Sequence, residues 1–215
     1  MRYAKSMVLF AMLVVAVCGV APSADAQVQP NSGYGATYGE WSARWWEWAL
    51  SIPAAQNPIL DSTGANCAQG QVGNVWFLAG TFGGTVTRAC TVPSGKPIFF
   101  PIINNVGFDP KGNETILDLR NLAAGLINAV TSLSCTLDGG PCASTSLSGF
   151  RAQSPVFETI VRTASLVPPK VYDPMVADGY WLLLSPLGSG FHTLTFSATT
   201  SVGFSVNVTY NLTVP

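Results

Sequence analysis

Acidic residues at helical spacing are the first candidates for chemistry in this sequence. Glu40 and Glu47 both belong to the segment YGEWSARWWEWALS, and on a helix they would share one face about 10 Å apart along the axis. Glycoside hydrolases work with two carboxyl groups, one of which is a general acid with a raised pKa. Arg44 lies between the two glutamates and would keep both of them ionised. A hydrolase that uses Glu47 with Glu40 or Asp61 is therefore an alternative hypothesis, and we favour a non-catalytic protein.

Asp61 and His192 are the other candidates for acid–base chemistry. For Asp61, in NPILDSTGANC, an Asx turn that accepts backbone N–H groups is the favoured explanation. His192 is the only histidine of the chain and shares the strand phase of apolar Leu194 and Phe196. A serine triad would need a positioned nucleophile, and no G-x-S-x-G motif occurs. We therefore expect His192 to be a buried, hydrogen-bonded residue at the start of a strand, with a general base as the alternative.

Aromatic side chains suggest binding instead of catalysis. Sugar rings stack on flat aromatic rings, while amide and charged groups bind the sugar hydroxyls. Trp46, Trp76 and Trp181, together with Arg44, are the candidate ligand-binding residues. The alternative is that all six tryptophans of the chain are buried.

The tryptophan-rich segment is predicted to be a helix that begins after Thr37. Thr37 and Glu40 fit a capping box, and Pro53 prevents the helix from continuing. At 100° per residue, one stripe is apolar and should pack on a sheet; it contains Trp41, Trp45, Trp48 and Ile52. The charged stripe of the helix contains Glu40, Arg44 and Glu47. Trp46 lies outside both stripes, so the packing of the helix on a sheet does not account for it, and we expect it to contact a second partner.

Charge and motif content exclude several classes of partner. Charged residues are 10% of the sequence and the formal net charge is −1, whereas nucleic-acid binding needs clustered Lys and Arg. We therefore expect no nucleic-acid partner. Phosphate-binding loops and dinucleotide fingerprints are absent from the sequence, and we expect no cofactor.

Four cysteines lie outside the first 26 residues, and they favour two disulfide bonds between neighbours. The turn in CTLDGGPC can bring Cys135 and Cys142 together, and Cys67 and Cys90 would then flank the predicted strand NVWFLAGT. The alternative is a zinc site. No C-x-x-C pair exists and there is one histidine, so we expect no metal.

The first 26 residues are typical of a cleaved signal peptide. Arg2 and Lys5 precede an apolar run over residues 7–20, and Ala24-Asp25-Ala26 fits a cleavage site. The run is shorter than the roughly 20 residues that span a bilayer. We therefore expect a secreted or periplasmic protein with no transmembrane segment after cleavage.

The rest of the chain is predicted to be a flexible lead-in, residues 27–36, and a single domain, residues 37–215. Helices are expected at about 38–51 and 115–131, and the intervening and final segments have the pattern of strands. In FSVNVTYNLTV, residues 204–214, apolar and polar residues alternate strictly, so one strand face should be buried. These features predict an α+β fold: a mainly antiparallel β-sandwich, Ig-like or jelly-roll-like, with two packed helices.

Several sequence blocks resemble a family of exported bacterial proteins. They are W-x3-WW-x-W, NPILDSTGANCAQGQVGNVWFLAGT, RACTVPSGKPIFFPIIN, DGYWLLLSPLGSGFHTLTF and VTYNLTV, and the resemblance covers about residues 40–214. It implies export and one compact domain, and it implies no particular activity.

Low charge, Thr- and Asn-rich strand faces and surplus aromatics together favour an exported, non-catalytic binding protein. Its expected partner is a polysaccharide or another cell-envelope polymer, by analogy with exported β-sandwiches that bind sugars. A self-associating structural protein of the envelope or matrix is the alternative, because the last strand is long and regular and the charge is low.

Overall fold

The computed structural model describes residues 32–109 and 111–215. The predicted signal peptide, residues 1–26, and the first part of the lead-in, residues 27–31, lie outside the described residues. In the described part of the lead-in, β1 (Ser32–Gly33) pairs with β2 (Ala36–Thr37) in an antiparallel hairpin. Its two turn residues both have positive φ, as a tight hairpin turn requires. This part is therefore regular secondary structure, where the sequence predicted a flexible segment.

The first of two five-stranded sheets has the order β3-β5-β10-β8, and β9 also pairs with β10. All its pairs are antiparallel except β3 with β5. The central strand β10 contains the YWLLL run, whose successive apolar residues suit burial on both faces, and Trp181 to Leu184 are fully buried. The strands are β3 (Trp76–Phe77), β5 (Ile98–Phe108), β8 (Arg151–Gln153), β9 (Phe157–Val161) and β10 (Lys170–Leu184).

The second sheet has the order β4-β12-β11-β6-β7, and only β4 with β12 is parallel. The alternation predicted for the last strand is confirmed, because every second residue from Val206 to Val214 is buried. The strands are β4 (Gly84–Thr91), β6 (Val130–Leu137), β7 (Gly140–Pro141), β11 (Gly190–Thr200) and β12 (Ser205–Val214).

The two sheets pack face to face around an aromatic core. Phe100 of β5 contacts Phe196 of β11, with ring centroids 4.9 Å apart. On the other face of β5, Phe99 stacks on Trp181 at 5.3 Å. The first sheet is therefore covered on both faces, and the predicted α+β sandwich with two helices is confirmed.

Helix α1 (Tyr38–Ser51) lies on the first sheet and has the predicted capping box of Thr37 and Glu40. Its apolar stripe packs as predicted: the Trp45 ring lies 5.6 Å from that of Trp181, and Trp41 and Trp48 both contact Phe77.

Helix α2 (Ile116–Asn128) packs on β5 and β10. It ends before the predicted residue 131, because Val130 already begins β6 and β-branched residues favour strands. Two short 3-10 helices cover Ala54–Gln56 and Leu147–Phe150.

Both predicted disulfide bonds are present. Cys67 bonds to Cys90 with a Cα–Cα distance of 5.8 Å, and Cys135 bonds to Cys142 with a distance of 5.4 Å. The first bond ties the loop before β3 to β4, so it holds a segment that has little secondary structure of its own. Among the described residues, neither helix has the length and apolar composition needed to cross a membrane.

Candidate functional site

A cavity of about 180 Å³ lies at the margin of the first sheet, where α1, α2, β5 and the start of β12 meet. Apolar side chains supply most of its wall. The main ones are Trp45 and Trp46 of α1, Pro101 and Ile103 of β5, Leu126 of α2, and Phe204. Phe82 also lines the cavity and is exposed, so the cavity reaches the protein surface beside this ring.

The cavity forms where β5 loses its neighbour on one side. Strand β3 pairs with β5 only at Ile98 and Phe99, and among the described strands none continues this side of β5 beyond them. Pro101 lies two residues after the last pair, and proline is typical of a strand edge because it cannot donate to a hydrogen-bond ladder. The chain after β3 instead crosses to β4 through residues 80–82, which form another part of the wall.

Hydrogen bonding divides the six tryptophans into two groups. Trp46 and Trp76 are buried, but their indole Nε1 atoms have no protein partner. The other four indole groups donate to backbone carbonyl oxygens: Trp41 to Gly33 at 2.8 Å, Trp45 to Leu78 at 2.9 Å, Trp48 to Gln69 at 2.9 Å and Trp181 to Ala152 at 3.3 Å.

Trp46 and Asn104 line the cavity, and each has a buried donor without a protein partner. The indole Nε1 of Trp46 and the amide Nδ2 of Asn104 have almost no accessible surface, so these two atoms do not face the open space of the cavity. A buried donor without a partner costs about 1–3 kcal/mol, so such groups are rare and usually have a reason. The unpaired groups of Trp76 and Thr159 do not line the cavity.

The remaining polar side chains of the wall are already engaged. Thr81 Oγ1 donates to the carbonyl of Gly83 at 3.1 Å, and Asn105 Nδ2 donates to that of Leu122 at 3.1 Å. Among the described residues, no charged side chain lines the cavity. The cavity is therefore mostly apolar and neutral.

Arg88 of β4 does not line the cavity, but it forms hydrogen bonds to residues that do. Its guanidinium is buried and donates to the carbonyls of Gly80 at 2.8 Å and Ile59 at 3.2 Å, two residues that line the cavity. Nη1 also donates to the hydroxyl of Tyr210 at 3.1 Å, and that hydroxyl donates to the carbonyl of Ala79 at 3.0 Å. Burial raises the pKa of Tyr210, and nearby Arg88 opposes this shift. Arg88 is thus a positioning residue, since its donors are directed at the protein.

Glu40 and Glu47 both lie outside the cavity wall. Glu40 accepts hydrogen bonds from the backbone N–H of Thr37 at 2.7 Å and from its hydroxyl at 2.9 Å, and these bonds lower the pKa of Glu40. Glu47 is exposed; partial loss of hydration raises its pKa, and Arg44 opposes the rise. The Arg44 guanidinium lies over the Trp41 ring, 4.6 Å from its centroid. Glu40 therefore serves the helix cap.

Asp61 forms the expected Asx turn. Its Oδ1 accepts from the backbone N–H of Thr63 at 2.8 Å, and its Oδ2 accepts from that of Asn66 at 2.8 Å. Burial acts to raise the pKa of Asp61, but these hydrogen bonds and Arg88 outweigh it and hold the pKa below its usual value. The carboxylate is thus occupied in shaping the loop that carries Ile59.

His192 forms two hydrogen bonds at the start of β11. Nδ1 lies 2.7 Å from Oδ2 of Asp138, and Nε2 lies 2.9 Å from the carbonyl oxygen of Gly188. Both oxygens accept, so both ring nitrogens donate when the ring is protonated. Burial acts to lower the pKa of His192, but these partners outweigh it and raise the pKa. With both nitrogens bound to partners, the structure supports the expected hydrogen-bonded role, but His192 is half-buried, where the sequence predicted a buried residue.

The four predicted ligand-binding residues do not come together, and this corrects the expectation of an exposed aromatic surface. All six tryptophans are buried. Trp46 lines the cavity, whereas Trp181 lies fully inside the core, Trp76 belongs to β3 and lies outside the cavity wall, and Arg44 is exposed. The cause is packing, because the rings fill the space between α1 and the first sheet.

Asn104 was missed by sequence reasoning. The available signal was the polar pair Asn104-Asn105 at the end of the apolar run IFFPII, since a strand that turns polar in mid-course often reaches a surface or a site. In the described residues, no group of three or more His, Cys, Asp and Glu side chains is placed to hold a metal ion.

Comparison with known proteins adds no family to this description. No family model and no curated protein matches the chain. The solution structure of amebosin is similar over 60% of this chain and 95% of its own, with 9% identity and a TM-score of 0.19.

Proposed function

We propose that this chain is an exported, non-catalytic binding protein and that the cavity beside Trp46 is its binding site. The observation that carries the proposal is an apolar cavity, lined by Trp45 and Trp46, that reaches the surface at Phe82. Two disulfide bonds support export, because such bonds persist in oxidising compartments.

A polysaccharide or another cell-envelope polymer is the proposed partner, and the cavity limits how it can bind. An apolar cavity of about 150 Å³ accepts benzene, so the 180 Å³ here accommodates one ring with a few further atoms. Because the tryptophans are buried, the polymer would insert a single ring or side group instead of lying along a flat aromatic surface.

The positions of the acidic residues and of the histidine favour binding over hydrolysis. Glu40 caps a helix, Asp61 shapes a loop, and His192 is held by Asp138 and Gly188. Glu47 is exposed on α1 and does not line the cavity. A ligand in the cavity would therefore meet no carboxyl group of the described residues.

Filling the cavity tests the proposal. Leu126→Trp adds an aromatic ring at the wall and should weaken retention on insoluble polysaccharides by about tenfold or more, equivalent to about 1.4 kcal/mol of binding free energy. Leu122→Trp is the matched control, because residue 122 is exposed one turn earlier on α2 and does not line the cavity. The measurement is a pull-down of purified protein on cellulose, chitin and peptidoglycan.

The proposal predicts that wild type and Leu122→Trp are retained on at least one polymer and that Leu126→Trp is released. Equal retention of both variants contradicts the cavity as the site. Failure of wild type to bind every polymer contradicts the proposed partner.

A further inference from the structure

The second sheet ends at β4, which is the outermost strand of the order β4-β12-β11-β6-β7 and pairs with β12 alone. The long final strand β12, whose regularity suggested self-association in the sequence, lies inside the sheet between β4 and β11. A free edge offers unpaired backbone N–H and C=O groups to a further strand. Any strand added at this end of the sheet would therefore pair with β4.

Two hydrogen bonds show which residues of β4 direct their backbone groups away from the sheet. Val92, which directly follows β4, donates to the carbonyl of Thr213 in β12 at 2.9 Å. Ala89 donates on the opposite side, to the carbonyl of Thr63 at 2.9 Å. Successive residues of a strand alternate in the side to which their backbone groups point. The odd-numbered residues of β4 therefore direct their N–H groups away from β12.

These outward groups are covered in one half of β4 and open in the other. At Ala89 a loop lies against the strand, so close that a Cβ on Gly64 would come within 2.1 Å of the Ala89 carbonyl oxygen. Thr85 and Thr87 are exposed, and their backbone groups make no hydrogen bond on this side with any described residue. We call the segment Thr85–Thr87 the open edge. It contains no lysine or proline, the residues that commonly protect such edges.

The open edge is complementary to a second copy of itself. Two antiparallel copies related by a two-fold axis at Val86 would place Thr85 of each copy opposite Thr87 of the other. Each outward N–H would then meet an outward carbonyl, so four backbone hydrogen bonds would join the copies. Such a symmetric contact also brings each side chain close to its own copy, where like charges would repel. The segment FGGTVT, residues 82–87, contains no charged residue.

Threonine side chains would pair across this contact, as they already do inside the sheet. Thr195 of β11 and Thr209 of β12 lie opposite each other, and their hydroxyl oxygens are 3.2 Å apart. Thr87 is in register with Thr209 and therefore lies on the same face of the sheet. Pairs of threonines on neighbouring strands stabilise a sheet, and the symmetric contact would form two of them.

We propose that two copies of this chain pair through the open edge and join their second sheets into one continuous sheet. The contact is short, so we expect a weak dimer with a dissociation constant of about 0.1 mM. The proposal does not depend on the proposed function, because the residues of the open edge do not line the cavity.

Amide hydrogen exchange at single residues tests the contact directly. Protein is compared at concentrations about tenfold above and about tenfold below the expected dissociation constant. The amides of Thr85 and Thr87 should exchange about fourfold more slowly at the higher concentration, the ratio of the two monomer fractions by mass action. The amide of Val86, which points to β12, should exchange slowly at both concentrations.

Sedimentation velocity of matched variants identifies the backbone donor. Thr87→Pro removes an outward N–H and leaves the bonds to β12 in place, and an edge strand tolerates proline at such a position. It should weaken association by about tenfold or more, because the symmetric contact loses two hydrogen bonds. Thr87→Val retains the N–H and a β-branched side chain and should associate like wild type.

A second pair of variants keeps the test valid if Thr87→Pro does not fold. Thr85 and Asn207 are opposite each other in β4 and β12, and both are exposed. Thr85→Lys puts a charge on the edge and should prevent the addition of a strand. Asn207→Lys puts the same charge one strand further inside and should leave the dimer intact.

Three results would overturn the proposal. One is a wild-type protein that remains monomeric at the higher concentration. Another is a dimer in which the amides of Thr85 and Thr87 exchange as fast as in the monomer, since a different surface then forms it. The third is protection of these two amides at both concentrations, which would mean that another group covers the edge.

Discussion

Trp46 and Trp76 show that burial alone does not define a site. Both side chains are 7% exposed and both lack a partner for Nε1, yet only Trp46 lines the cavity. Their neighbours Trp45 and Trp48 bond to backbone carbonyls. The sequence distinguished Trp46 by its position outside the apolar stripe of α1, but it could not show which indole nitrogen lacks a partner.

At the scale of one residue, we predict that His192 makes the stability of the folded protein depend on pH. Its pKa is raised in the folded protein, so its contribution to the free energy of unfolding is full below the ordinary pKa of about 6.5. This contribution is lost as the pH rises through the raised folded-state value. We expect a loss of about 1 kcal/mol or less, the range of partly exposed ion pairs.

Urea unfolding at a series of pH values measures this dependence, with His192→Gln as the control. Since His192 is the only histidine, the variant should lose the decline in stability across this window. An identical decline in the variant would show that the Asp138–His192 pair has no part in it.

At the scale of elements, the two helices begin in the same way. Thr37 and Glu40 start α1, and Thr115 and Asp118 start α2, each pair forming a reciprocal capping box. The sequence predicted the first pair. Local spacing is enough to identify such caps, because their hydrogen bonds join residues three positions apart.

Removing the α1 cap should destabilise the protein. Thr37→Ala loses the hydroxyl that accepts from the backbone N–H of Glu40 at 3.3 Å and should lower the free energy of unfolding by about 1 kcal/mol. Thr37→Ser keeps the hydroxyl and should retain most of the stability. Chemical denaturation compares them, and a Thr37→Ala protein as stable as wild type would contradict the importance of this cap.

Structural elements could be predicted where their sequence pattern involves nearby residues. The cavity could not be predicted in this way. The alternation of β12, the two disulfide bonds and the Asx turn of Asp61 each follow from nearby residues. The cavity depends on where β3 stops pairing with β5 and on how α2 packs beside that edge. These are contacts between distant segments, so residue spacing does not reveal them. The end of α2 was misjudged because apolar periodicity continues into β6.

At the scale of the whole molecule, the cavity is a gap in the layer of helices and strands that covers the first sheet. One face of the first sheet packs on the second sheet through Phe100 and Phe196, and α1 covers the Phe99–Trp181 side. Beside the free edge of β5 neither helix closes the space fully, and Phe82 leads from it to the surface. The fold therefore supplies a frame of two packed sheets, and this incomplete margin of the first sheet supplies the site that we propose.

The most direct test of this account is a crystal structure of the protein soaked with bromobenzene, recorded at a wavelength where bromine scatters anomalously. We predict a bromine peak inside the cavity, in contact with its apolar wall. Crystals of Leu126→Trp should lack this peak. Bromine found only on the outer surface, or an equal peak in Leu126→Trp, would contradict the cavity as the binding site.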